Sequence, residues 1–203
     1  AHSWASQDTS PAAQNRVFDL MLHNGSIYAT GGFVDTLIVG TDTLAAPTDS
    51  GLATQMTNTF LLKLSAMGQV DTALVWGKGH ADYGKALAAD AIGNLYLLGY
   101  YTDSILFNTD TLIANGLQQG FPGDYPDVYL TRLNADLAPQ WSMTMGAAQT
   151  NVCPGDLPHD LLAHAGRLFI SGSFHPGAEI GSLLLPPIGV ACAPVAGLAC
   201  VDT

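Results

Sequence analysis

Three short stretches carry most of the side chains in this 203-residue chain that could do chemistry. His80, Asp82 and Tyr83 precede Gly84 and Lys85; Phe121, Asp124, Tyr125 and Asp127 crowd a second stretch; Asp156, His159 and Asp160 follow in a third. Carboxylates grouped in this way offer hard oxygen ligands, which suit Ca²⁺, from Asp124 to Asp127 or from Asp156 to Asp160. No regularly spaced acidic loop of the EF-hand kind accompanies them, and no other cofactor is implied.

Other motifs fail on their own chemistry. Gly79 to Ala86 comes within one residue of the phosphate-cradling GxxxxGK[ST] loop, but Ala86 stands where a Mg²⁺-ligating hydroxyl is needed. The surrounding residues also read as strand, whereas a phosphate loop opens a helix. There is no G-x-S-x-G elbow and no HExxH, so the sequence designates no catalytic residue. Cys153 beside His159 offers a thiol and a base, yet its Pro-flanked loop suits a disulfide partner better. All three cysteines fall in the last third, and Cys192 with Cys200, seven residues between them, are the expected disulfide pair, with Cys153 to either of them as the alternative. His23, Asp90 and His164 each end an apolar run just before a turn, where side chains bond the turn backbone.

The elements that must position these groups follow from composition and repetition. Sixteen Asp stand against one Glu, Glu179, and only six Lys and Arg, so the long charged residues that clothe helices are nearly missing. A net charge of −11 with no basic cluster excludes nucleic-acid binding through a cationic face. Ile180 to Val201 is uncharged over 22 residues, but Pro186, Pro187 and Pro194 break it as a spanning helix, so no membrane insertion is expected. One phrase recurs three times, as SIYATGGF (26–33), NLYLLGYY (94–101) and RLFISGSF (167–174), with marker glycines 68 and 73 residues apart. Each copy follows an apolar run across a short turn and so forms a hairpin. Further strands at 59–69 and 127–137, and then Trp-bearing strands, complete units of four antiparallel strands with an extra hairpin between the second and third. Trp4, Trp76 and Trp141 are expected in one structural slot, packed between neighbouring units.

Tandem four-stranded units are the blades of a β-propeller. The order DVYLTRLNADLAPQW, then DYGKALAADAIGNLYLLGYY, resembles the bacterial seven-bladed β-propeller repeat family (SBBP-like repeats), most closely from 59 to 145. That resemblance implies a secreted or cell-surface bacterial protein and no catalytic residues of the repeat itself. The expected fold is all-β: one propeller domain over 1–203 with blades at about 17–79, 84–145 and 159–203, and 1–6 as the last strand of a preceding blade. This amounts to about two and three quarter blades of an incomplete ring, a fragment of a longer chain that opens on Ala1 rather than a start Met.

Strand parity assigns the faces. Short turns (HNGS, AIGN, HAGR) share one end, whereas the long dissimilar loops at 45–58, 113–126 and 186–200 share the other with the connections between units. Binding residues favour variable loops on a rigid scaffold. The sequence therefore assigns His80, Asp82, Tyr83, Phe121, Asp124, Tyr125, Asp127 and Asp156 to a loop-bearing binding face. The expected function is a non-catalytic module that presents loops to a protein or glycan, or to further blades of the same polypeptide. Two alternatives stay open, a propeller-type glycan hydrolase or lyase with converging carboxylates, and a purely architectural segment of an extracellular assembly.

Overall fold

A computed structural model of the chain describes residues 15–46, 57–77, 81–114, 126–147, 155–185 and 195–202. Seventeen β-strands and no helix occur among them. They are β1 (Arg16–His23), β2 (Ser26–Val34), β3 (Thr36–Val39), β4 (Asp42–Ala45), β5 (Thr57–Leu64), β6 (Val70–Trp76), β7 (Tyr83–Ala89), β8 (Leu95–Tyr101), β9 (Ser104–Phe107), β10 (Asp110–Ile113), β11 (Asp127–Leu133), β12 (Pro139–Gly146), β13 (Leu157–His164), β14 (Arg167–Phe174), β15 (Glu179–Ile180), β16 (Leu183–Leu184) and β17 (Val195–Asp202).

Three antiparallel sheets follow one another along the chain. Sheet I runs β1-β2-β5-β6, sheet II β7-β8-β11-β12 with β15 and β16 added beyond β12, and sheet III β13-β14-β17. The short hairpins β3–β4 and β9–β10 stand apart as two-stranded sheets. The third hairpin instead bonds sideways to the preceding sheet, through Met145↔Ile180 and Gly146↔Glu179. Among the described residues every named strand pair is thus antiparallel, with one isolated parallel bridge, Thr57↔Ala81, and the fold is all-β, as the scarcity of helix-forming charged residues led one to expect.

The recurring glycine has a steric cause. Each first strand carries a β-bulge, with the register slipping between Val17 and Asp19, Gly84 and Ala86, and Pro158 and Asp160. The bulge thrusts a carbonyl at the neighbouring strand, so a Cβ on Gly31 would lie 1.8 Å from the Arg16 oxygen and one on Gly99 2.1 Å from the Tyr83 oxygen. Only glycine fits there. The amide just past each bulge is met by a carboxylate: Asp19 takes Leu20 N–H on Oδ1 and Leu87 N–H on Oδ2, both at 2.7 Å, and Asp160 takes Leu161 N–H at 2.8 Å. The Asp19 carboxylate thereby also joins the first strands of sheets I and II, which pack side by side.

Stacking buries the sheets against each other. Tyr28 and Leu61 of sheet I meet Leu87, Leu95, Leu97 and Tyr129 of sheet II in one cluster. Tyr96, Leu98, Val128 and Met145 on the opposite face of sheet II meet Leu161, Leu168, Ile170 and Phe174 of sheet III in another. On its other face sheet I packs its own β3–β4 hairpin, with Phe33, Phe60, Leu62 and Leu64 against Leu37, Val39 and Leu44; each fully buried Leu or Phe in these clusters contributes roughly 1.5–3 kcal/mol.

Two expectations are corrected. Val195–Asp202 is strand, paired with β14 over eight residues, not the tail of a loop ending at 200, because β14 offers an edge and Ala199 and Val201 pack into the core cluster behind it. The tryptophans do not share a slot: Trp76 lies opposite Thr59, whereas Trp141 lies opposite Arg132, at the other end of its strand. Trp76 meets the following unit, with Phe107 of β9 at 5.2 Å, whereas Trp141 lies 6.3 Å from Tyr96 of its own sheet, on the face packed against sheet III. Met145 takes the level that Trp76 holds in sheet I, opposite Val128, and there it pairs with Ile180 of β15 and packs into the cluster shared with sheet III. Trp4 lies outside the described residues. No described helix is long and apolar enough to cross a membrane.

Candidate functional site

The end of the sheets where units connect is built on polar side chains that replace missing ladder partners. Asn15 Oδ1 accepts the Val34 N–H (3.1 Å), Asp82 Oδ1 the Thr102 N–H (3.2 Å) and Asp156 Oδ1 the His175 N–H (2.6 Å). Each donor is the backbone at or just past the end of the second strand of its unit. Asp156 Oδ2 takes a further amide, Ala147 N–H, at 2.9 Å. These side chains tie the lead-in of one sheet to the strand ends beside it.

The arrangement explains why glycine closes the fourth strand. A Cβ on Gly146 would sit 2.4 Å from Oδ1 of Asp127 and 3.0 Å from Oδ2 of Asp156. One on Gly77 would meet Asn58 Oδ1 at 2.5 Å and Asp82 Oδ2 at 2.9 Å. Asp82, Asp127 and Asp156 are 0% exposed. Burial pushes the Asp156 carboxyl above its ordinary range, and the amides of His175 and Ala147 with the His175 imidazole offset only part of that. The imidazole is buried as well; its Nδ1 lies 3.4 Å from Asp156 Oδ1, yet neither ring nitrogen makes a hydrogen bond.

These three aspartates were expected to display their carboxylates to a ligand, and the structure corrects that: all three are buried, Asp82 and Asp156 accept backbone amides, and Asp127 is packed against the backbone at Gly146. The physical reason is that the amides left over at strand ends need acceptors, and short Asp side chains reach them. Among the described residues no group of three His, Cys, Asp or Glu side chains is arranged to hold a metal ion. His80, Phe121, Asp124 and Tyr125 lie outside the described residues, as do Cys153 and Cys192. Cys200 is a free, exposed thiol on β17 rather than half of a loop disulfide with Cys192.

Tyr83 is the candidate that keeps a surface. Half-buried at the start of β7, it lies 5.0 Å from Tyr100 and 5.8 Å, edge on, from Phe18, with its hydroxyl 3.0 Å from Thr57 Oγ1. Lys85 Nζ sits 3.6 Å from the centre of the Phe18 ring, and burial, followed by the nearby Arg16 charge, lowers its pKa. Burial, reinforced by Tyr83 and opposed by Arg16, pushes the Tyr100 phenol up to about 12, so it stays a hydrogen-bond donor. Three partly exposed rings flanked by two cations thus gather where β1, β7 and β8 meet. The sequence reading missed Phe18, Tyr100 and Arg16 here. Its available signal was the aromatic at the same level of two strands, Tyr83↔Tyr100, which becomes informative only once the register is known.

At the opposite, short-turn end, the capping expectation holds for Asp90. Its Oδ1 accepts the amides of Ile92 (3.0 Å) and Asn94 (2.9 Å), while Oδ2 accepts the Asn94 side chain (2.7 Å) and the Tyr96 hydroxyl (3.0 Å). His23 bonds the Asn24 side chain (2.9 Å), and His164 instead lines a shallow cavity of about 210 Å³ with Asp90 and Arg167. Gly84 and Lys85, the end of the phosphate-loop-like phrase, lie within β7, so the phrase opens a strand and offers no helix terminus to a phosphate. No family model matches this chain, and no curated protein matches it.

Proposed function

We propose that the three sheets are consecutive blades of a β-propeller, and that the chain is a non-catalytic, secreted or cell-surface module that binds glycan through the aromatic cluster at the loop-bearing end. The blade reading is supported by the stacking of successive sheets and by the adjacency of their first strands, with β7 packed between β1 and β13. Secretion rests on the resemblance to the bacterial seven-bladed repeat family and on a surface rich in Thr, Ser, Asn and Asp.

The observation that carries the glycan reading is the cluster of Phe18, Tyr83 and Tyr100 beside Arg16 and Lys85. Rings offering both a flat apolar face and a phenolic hydroxyl suit the alternating C–H and O–H surface of a sugar, and the two cations suit an acidic one. Affinity electrophoresis through gels holding neutral or uronic-acid polysaccharides tests it. Retardation is expected, with Tyr83→Ala and Tyr100→Ala each weakening it about tenfold, the worth of one stacked ring or hydrogen bond of about 1.4 kcal/mol. Retardation unchanged in both variants would remove the cluster from the function. Release of new reducing ends during incubation would favour the hydrolase or lyase alternative.

A further inference from the structure

The three β-bulges set one extra residue at matching levels of three neighbouring strands. Phe18 of β1, Lys85 of β7 and His159 of β13 are the residues that the pairing register skips, and β7 packs between β1 and β13. A bulge re-aims its extra side chain. Here the Lys85 ammonium is turned over the Phe18 ring, 3.6 Å from its centre, and His159 stands exposed on the next strand with Nε2 3.3 Å from Ser173 Oγ.

The charge in this row is what sets it apart. The chain has seventeen Asp and Glu against six Lys and Arg, so carboxylates are the commonest charged neighbours open to a lysine. Lys85 takes none of them: among the described residues no carboxylate lies within ion-pairing distance of it. Burial, and after it the like charge of Arg16, lower its pKa, so the folded chain holds the ammonium against a cost that an added anion would relieve. The same guanidinium opposes the rise of the Tyr100 phenol, so its field reaches the Tyr83 and Tyr100 ring pair as well. A ligand that suits both features carries a sugar face and a negative charge on one residue. We propose that the cluster selects acidic glycans over neutral ones, with a uronate ring on Tyr83 and Tyr100 and its carboxylate between Lys85 and Arg16, a refinement that rests on the glycan reading above. A carboxylate gains from both cations where a neutral hydroxyl does not, and that gain is screened by salt.

Polygalacturonate and its fully methyl-esterified form share one sugar backbone and differ in the charge of the carboxyl group. Isothermal titration of the full chain should give an affinity at least tenfold higher for polygalacturonate, and the ratio should fall toward one as NaCl is raised to about 0.5 M. Lys85→Gln should bring the two polymers to equal affinity, and Lys85→Arg should keep the preference. Lys63→Gln, which removes the same charge from β5, should leave the ratio unchanged. Acetylation of Lys85 by acetic anhydride, read by mass spectrometry, should be at least tenfold slower with polygalacturonate present than with the methyl ester. Equal affinity of the native chain for the two polymers would overturn the inference and leave the glycan reading standing. A preference that survives Lys85→Gln or is abolished by Lys63→Gln, or acetylation indifferent to polygalacturonate, would overturn it in the same way. Binding of neither polymer would overturn it too, and retardation by other polysaccharides would then show that the glycan reading outlives it.

Discussion

Asp156 holds two amides and faces an imidazole without touching water, and its titration follows from that position. Its carboxyl is raised above the ordinary 3.8, so between that value and its native pKa the folded chain keeps a proton that the unfolded chain has released. The stability it contributes is therefore greatest in acid and declines as pH rises through that window. Asp156→Asn cannot titrate and loses one of the two amide bonds, at a cost of about 1–3 kcal/mol. In urea unfolding across the acid range, the advantage of the native chain over Asp156→Asn should shrink as pH rises. An advantage that grew with pH would mean that hydrogen bonding to the carboxylate outweighs its burial. Asp90 behaves in the opposite sense. Burial pushes its carboxyl up, but the bonds from Asn94, Tyr96 and Ile92 outweigh that and hold it below the ordinary range, so its contribution is lost as pH falls. Asp90→Ala should cost about 1 kcal/mol near neutral pH, less in acid, read from the same urea curves.

At the scale of elements, the hairpin between the first two strands of each unit depends on one glycine opposite a bulge. Gly99→Ala would press a methyl group to 2.1 Å from the Tyr83 oxygen and 2.4 Å from the Tyr129 ring, both within the packed interior. Neither backbone nor a fully buried tyrosine yields easily, and the expected loss is about 3 kcal/mol or more. Gly93→Ala is the control: with φ +92° and nothing within 4 Å of the added carbon, it carries turn strain alone and should cost about 1 kcal/mol. Thermal unfolding of the two variants compares them directly, and a Gly99→Ala protein as stable as Gly93→Ala would contradict the close approach. The extra hairpins add a second lesson, since β15–β16 extends the sheet before its own, linking neighbours by hydrogen bonds as well as by packing.

For the whole molecule, the interfaces decide cooperativity. Leu98 is fully buried between sheets II and III, whereas Trp76 reports from between sheets I and II and Trp141 from the Leu98 side. Leu98→Ala should lower stability by about 2–5 kcal/mol. Because sheet II is the shared wall of both clusters, unfolding followed separately through Trp76 and Trp141, in chains where the other tryptophans are phenylalanine, should shift by the same amount. A shift confined to Trp141 would show that the sheets unfold independently.

Much of this architecture was written locally. Sixteen Asp against one Glu ruled out helical surfaces, and the SIYATGG, NLYLLGY and RLFISGS phrases announced hairpins, because strand alternation, turn chemistry and the glycine requirement are properties of neighbouring residues. What each polar side chain does was not local. Asp82, Asp127 and Asp156 look like ligands in loop sequence, and only the packed sheets show that unpaired amides and glycines from strands far along the chain claim them. The same holds for Trp76 and Trp141, whose levels depend on a register set by bulges, and for Cys200, whose residues read as loop until β14 offered them an edge. Tertiary structure alone gathered Phe18, Tyr83 and Tyr100, since rings on three strands become a surface only when two sheets stack. Local sequence determined which elements form; the partners those elements bury against decided which side chains are left to meet a ligand.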